Sequence, residues 1–119
     1  ITNSASPYEL FGLEQSDYYY GVLIKLKPLK IQRIALTFRP KFIIAQTWGY
    51  GLADEQGNFC LLNRDGQCIG QFELSLTITA MTSFGEFGLL IASYSHGEGK
   101  LSTLDLSSII SKSPLDTSP

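Results

Sequence analysis

The sequence predicts an all-β domain, a small sandwich or partly closed barrel of about six to eight mostly antiparallel strands with few or no long helices. Three observations carry that reading. Asn58 to Ala80 holds the cleanest two-residue alternation, with Phe72, Leu74, Leu76, Ile78 and Ala80 on one side and Glu73, Ser75, Thr77 and Thr79 on the other. Side chains of a strand point alternately to opposite faces, so this pattern fits one core face and one wet face. Turn signals recur about every ten residues, the spacing of short strands. Charged residues make up only 17% of the chain, below the ~25% usual for soluble domains, with Ser, Thr and Gly in their place. Hydroxyl-rich faces suit sheets better than surface helices.

At 119 residues the chain has the length of one domain, read as a single β unit over 1–110 with an N-terminal arm at 1–15. Pro7 to Leu13 fits a helical turn or a segment lying on the sheet. From Asp17, Tyr18, Tyr20, Val22, Ile24 and Leu26 share one face of a strand, opposite Tyr19, Leu23, Lys25 and Lys27. Pro28 breaks that strand, because proline removes a ladder donor. Ile34, Leu36 and Phe38 then alternate with Arg33, Ala35, Thr37 and Arg39, and after Pro40 the segment Lys41 to Trp48 continues as a strand. Trp48 to Asn58, dense in Gly and Asp, reads as a long loop. The hairpin of Asn58 to Ala80 comes next, with Asn63-Arg64-Asp65-Gly66 matching a type I turn closed by a left-handed glycine, which places Leu62 opposite Cys68. Ser83 to Gly88 turns the chain into a strand over Phe87 to Ser95, and His96 to Gly99 forms the next turn. Leu101 to Ile110 reads as a strand, although Leu106, Ile109 and Ile110 also fit a short amphipathic helix. The Ser- and Pro-rich segment 111–119 reads as a flexible tail or linker. No stretch repeats another, and no apolar run approaches the ~18 residues of a membrane span. The first residue, Ile1, points to processing or to a piece of a longer protein.

Signals for chemistry are sparse. Cys60 and Cys68 fall close together in the hairpin, on the inward side with Phe72 and Leu74, and their separation permits a disulfide. Two cysteines without histidine neighbours make a poor zinc site, and Asp54 and Glu55 offer too few oxygens for a calcium loop. His96 is the single histidine and sits in a glycine-rich turn without a nucleophile or carboxylate placed for it by spacing. The reading is of a protein that is not an enzyme and uses no cofactor and no metal.

Two features stand above background. Six of the nine basic residues, Lys25, Lys27, Lys30, Arg33, Arg39 and Lys41, lie within the hairpin around Pro28 and its continuation. Most take the outward parity of their strands, which predicts a basic patch for an acidic protein partner or another subunit, with nucleic acid disfavoured by the net charge of −2. Tyr19, Trp48 and Tyr50 are candidate aromatics for a glycan or small ligand. The sequence thus predicts a non-enzymatic interaction or assembly domain of a secreted or cell-surface protein, with glycan or small-ligand binding as the alternative.

Overall fold

The computed structural model describes residues 2–3, 7–15 and 18–110; the tail expected at 111–119 lies outside them. The described chain is nearly all β, with eleven strands in three antiparallel sheets, one short helix and no closed barrel. The first sheet comprises β1 (Thr2–Asn3), β2 (Glu9–Gln15), β3 (Tyr19–Leu26) and β4 (Leu29–Leu36). The middle sheet comprises β5 (Phe42–Gln46), β6 (Gly49–Ala53), β7 (Asn58–Asn63) and β8 (Cys68–Glu73). The third holds β9 (Thr77–Ser83), β10 (Gly88–Ser95) and β11 (Glu98–Asp105), and α1 (Ser107–Ile110) comes after it. Short hairpins divide the chain more finely than the sequence reading anticipates. Every pairing joins strands adjacent in sequence, so each sheet is a meander.

The sandwich has three layers and two cores. Phe11 and Leu23 of the first sheet pack against Tyr50, Leu52, Cys60 and Leu62 of the middle sheet. On the other side of the middle sheet, Ile44, Ala53, Phe59 and Leu61 meet Ile78, Leu89, Ile91 and Leu106. Alternation in β6 and β7 therefore sends successive side chains into two different cores, and all five residues of β6 are buried. Such strands read as continuous apolar runs or as small residues, not as an apolar and polar alternation.

That geometry explains why Trp48 to Asn58 is not a long loop: it contains β6, the innermost strand. Its glycines serve close approach instead of chain reversal. A Cβ on Gly51 would stand 3.0 Å from Ile44 Cγ1, and one on Gly49, whose φ is +149°, would stand 2.0 Å from the Leu62 carbonyl oxygen. The Phe72 to Ala80 alternation also divides. β8 ends at Glu73, the chain bends through Leu74 to Leu76, and β9 starts in the next sheet. Phe72, Leu74, Leu76 and Ile78 all reach the second core. Ala80 does not, because the register of β9 on β10 shifts between Ala92 and Ser93, and this bulge turns Ala80 outward. The segment read as an N-terminal arm contributes β2, an interior strand of the first sheet with Phe11 fully buried. Leu101 to Ile110 is strand and then helix: Asp105 accepts the Ser107 N–H at 2.9 Å, a bond that holds its carboxyl below the usual carboxylate range, and Leu106 anchors the turn in the core.

Although no sequence repeats, the architecture does. Three successive meanders stack, and their first strands lie side by side, β1 against β5 and β5 against β9. The first strands of the three sheets thus line one shared edge.

Gly49→Ala is expected to destabilise the chain by about 1–3 kcal/mol, since it combines an unfavourable φ with a backbone collision. The midpoint of urea unfolding checks this, and an unchanged midpoint would contradict the packing of β6 on β7.

Candidate functional site

The six basic residues do not form one surface. Lys25 and Lys30 are cross-strand partners next to the Pro28 turn, in a row with Glu9 on the face that looks toward the middle sheet. Lys27 lies in the turn, its Nζ 4.1 Å from the Tyr8 ring centroid. Arg33 is on the opposite, outer face, paired with Glu14 at 2.5 Å and 4.3 Å over the Tyr20 ring. Arg39 and Lys41 come after β4 at the other end of the sheet, about 25 Å from the turn at ~3.3 Å per strand residue. Lys25 pairs with Asp65 at 3.3 Å, and Lys41 pairs with Glu55. Exposed pairs of this kind contribute about 0–1 kcal/mol each, but they do reduce the charge presented outward.

The three aromatics also separate. Tyr50 is fully buried, stacked on Phe11 with centroids 4.8 Å apart, and its hydroxyl donates to Glu9 Oε2 at 2.6 Å. It offers no surface to a ligand. Trp48 is half-buried against the second core, and its indole N–H donates to Gln46 Oε1 at 2.5 Å and to the Glu86 carbonyl at 3.1 Å. Tyr19 lies across the molecule, lining a cleft of about 830 Å³ beside the link between the first and middle sheets, together with Tyr20, Thr37, Arg39 and Lys41. Acidic groups around this cleft are engaged: Asp54 accepts the Gln56 and Asn58 backbone N–H groups at 2.9 and 3.0 Å, and Glu55 holds Lys41. A separate polar cluster is buried between the first two sheets. Glu9, only 6% exposed, accepts from Tyr50 on one oxygen and meets Arg64 at 3.4 Å on the other. It ties β2 to β6 and to the β7–β8 turn, a fastening that a carboxylate can perform inside a core because both oxygens have partners.

The Asn63 turn forms as the sequence predicts, with Leu62 opposite Cys68 and Gly66 at φ +82°. Asn63 Oδ1 accepts the Asp65 and Gln67 N–H groups at 3.0 and 2.9 Å, the same arrangement that Asp54 makes with Gln56 and Asn58. Both thiols are free, with Sγ atoms 3.9 Å apart. They sit on the side of the middle sheet away from Phe72 and Leu74. The register of β7 on β8 shifts between Leu61 and Leu62, so Ile69 is an extra residue and the parity of Cys68 changes relative to Phe72. Cys60 is buried and Cys68 exposed. Burial first, and then the neighbouring Cys68, push the Cys60 thiol up to about 12. His96 occupies an exposed turn with φ +52°, and among the described residues no three His, Cys, Asp or Glu side chains converge as metal ligands.

The feature that sequence reasoning missed is apolar and exposed. On the outer face of the first sheet, Leu10, Ile24 and Ile31 form one cross-strand row and Leu26 and Leu29 the next, with Val22 beyond. Leu29, Ile31 and Leu26 are 69%, 63% and 52% exposed. The third sheet has an equivalent outer row of Ala80, Ala92 and Leu101, flanked by Leu90 and Tyr94, with Leu101 67% exposed. The signal was present in Val22-Leu23-Ile24 and Leu89-Leu90-Ile91, where apolar residues occupy both parities of one strand, the mark of a sheet meant to be covered on both faces.

No family model, curated protein or solved structure matches this chain.

Alkylation of the native protein at pH 8 is expected to add one group, on Cys68. The thiolate is the nucleophile, and Cys60 stays protonated through the alkaline range up to about 12. Mass spectrometry should show no adduct on native Cys68→Ser and two on the unfolded parent. A doubly modified native protein would contradict the placement of Cys60.

Proposed function

We propose that this chain is a non-enzymatic interaction and assembly unit whose contacts are made by its exposed sheet faces, chiefly the outer face of the first sheet with the hairpin around Pro28. The observation that carries this reading is the run of Leu10, Ile24, Ile31, Leu26 and Leu29 on one solvent-facing surface. Monomeric proteins seldom leave neighbouring large apolar side chains in water, and such patches mark docking surfaces. Lys27, its Nζ over the Tyr8 ring, stands at the hairpin end of that surface, where a rim charge would favour an acidic or carboxylate-bearing partner and speed its approach. Apolar residues would then anchor the contact and this lysine select for it. The aromatic ligand platform draws no support from the separate positions of Tyr19, Trp48 and Tyr50.

At concentrations where the parent is dissociated, Ile31→Glu should leave the unfolding free energy within about 0.5 kcal/mol of the parent, because its side chain is in water in the isolated chain. The same change should abolish association measured by light scattering or, where the face is vacant, binding of the dye 8-anilinonaphthalene-1-sulfonate. Lys27→Glu should weaken association at low salt only. An Ile31→Glu protein that matches the parent in both association and dye binding would sink the reading.

A further inference from the structure

Each sheet is a meander, each stacks face to face on the next, and the first strands of neighbouring sheets lie side by side, β1 by β5 and β5 by β9. Radial repetition of four-stranded meanders about a shared axis is how β-propellers are built. The three sheets are thus an arc of such a ring, and the two apolar outer faces are the ends of the arc.

Stacking inside the arc indicates what each end accepts. The face that the middle sheet turns toward the first, built from Tyr50, Leu52, Cys60 and Leu62, is equivalent by sheet position to the outer face of the first sheet, with Leu10, Ile24 and Ile31. The face that the middle sheet turns toward the third, built from Ile44, Ala53, Phe59 and Leu61, is equivalent to the outer face of the third sheet, with Ala80, Ala92 and Leu101. One step of the same operation therefore brings the outer face of a third sheet onto the outer face of a first sheet. The two ends complement each other and not themselves.

We infer that the occupant of each end is a second copy of this chain, two arcs closing head to tail into a six-sheet ring. This rests on the reading of the sheet faces as docking surfaces. Six lies within the four to eight sheets that close such rings. A contact of this type repeated by a rotation closes or polymerises, and with two copies both unmatched faces of each chain are covered at once. The area suffices: three strands about 4.8 Å apart and seven or eight residues long give a face of roughly 350 Å². Two contacts bury roughly 1,400 Å² in total, within the range of stable specific interfaces of about 1,200–2,000 Å².

Sedimentation equilibrium of the chain is the test, with Ile31→Glu blocking one end and Leu101→Glu the other. Both side chains are in water, so thermal unfolding should confirm that each variant keeps the fold. The parent should sediment as a dimer and each variant as a monomer. An equimolar mixture of the two variants should recover a dimer held by its one intact contact, at least tenfold weaker than the parent. A dimer that survives Leu101→Glu but not Ile31→Glu would mean that the first-sheet faces pair with each other and would overturn the head-to-tail ring. Mass growing without limit would overturn closure. A parent that stays monomeric and binds the dye through its Ile31 face would overturn the second copy as occupant while leaving the docking surface standing, whereas a monomer without dye binding would remove both.

Discussion

The inner strands of the middle sheet, β6 and β7, have no face for water, and most of the structure depends on that constraint. Residues of β6 and β7 must be apolar or small on both parities, and Gly49-Tyr50-Gly51-Leu52-Ala53 with Phe59-Cys60-Leu61-Leu62 meets the requirement. Fully burying a side chain the size of leucine or phenylalanine contributes about 1.5–3 kcal/mol, so two cores sharing one sheet use its residues twice as densely as a two-layer sandwich would. The cost is geometric: where two faces are filled, the backbone itself must approach its neighbours, and glycine at 49 and 51 is what the available room permits. Covering the middle sheet also fixes the roles of its neighbours, each of which turns one apolar face toward it and keeps a second.

Buried polar groups are few among the described residues, and all but Arg64 Nε have a hydrogen-bond partner. Glu9 lies between Tyr50 and Arg64 and so links three segments distant in sequence. Asp54 and Asn63 each organise a five-residue turn by accepting two backbone N–H groups on one oxygen, and a left-handed glycine, Gly57 or Gly66, completes each turn. These two turns hold β6 to β7 and β7 to β8, so the register of the doubly covered strands is set at their ends by side chains as well as along their length by packing.

The class of the fold was legible because alternation and turn chemistry are local. Pro28 and the Asn63 turn mark hairpins that form as read, and Leu62 faces Cys68 as the turn type requires. What was not legible was which faces are covered. Glycine and acidic residues in 48–58 carry the composition of a loop, and only the presence of sheets on both sides turns them into a central strand. Each bulge, at Ile69 and opposite the Ala92–Ser93 step, reverses the parity of the residues on its far side, so Cys68 and Ala80 end up on faces that strict alternation denies them. For the candidate surface, charge drew attention to the hairpin around Pro28, while the exposed apolar row on the same hairpin went unread. Val22, Ile24 and Leu26 have the parity of a core face, and alternation alone cannot say that no described residue covers them.

Because every strand pairs with its neighbour in sequence, the molecule can be completed in the order in which it is synthesised. At roughly 5–20 residues per second, the first meander is finished before the middle one leaves the ribosome and is waiting for it. The face carrying Ile44, Ala53, Phe59 and Leu61 has no such host. It stays bare until β9 to β11 emerge, an interval of a few seconds at that rate, and during that interval the nascent chain is most open to capture by a chaperone or by a neighbouring chain.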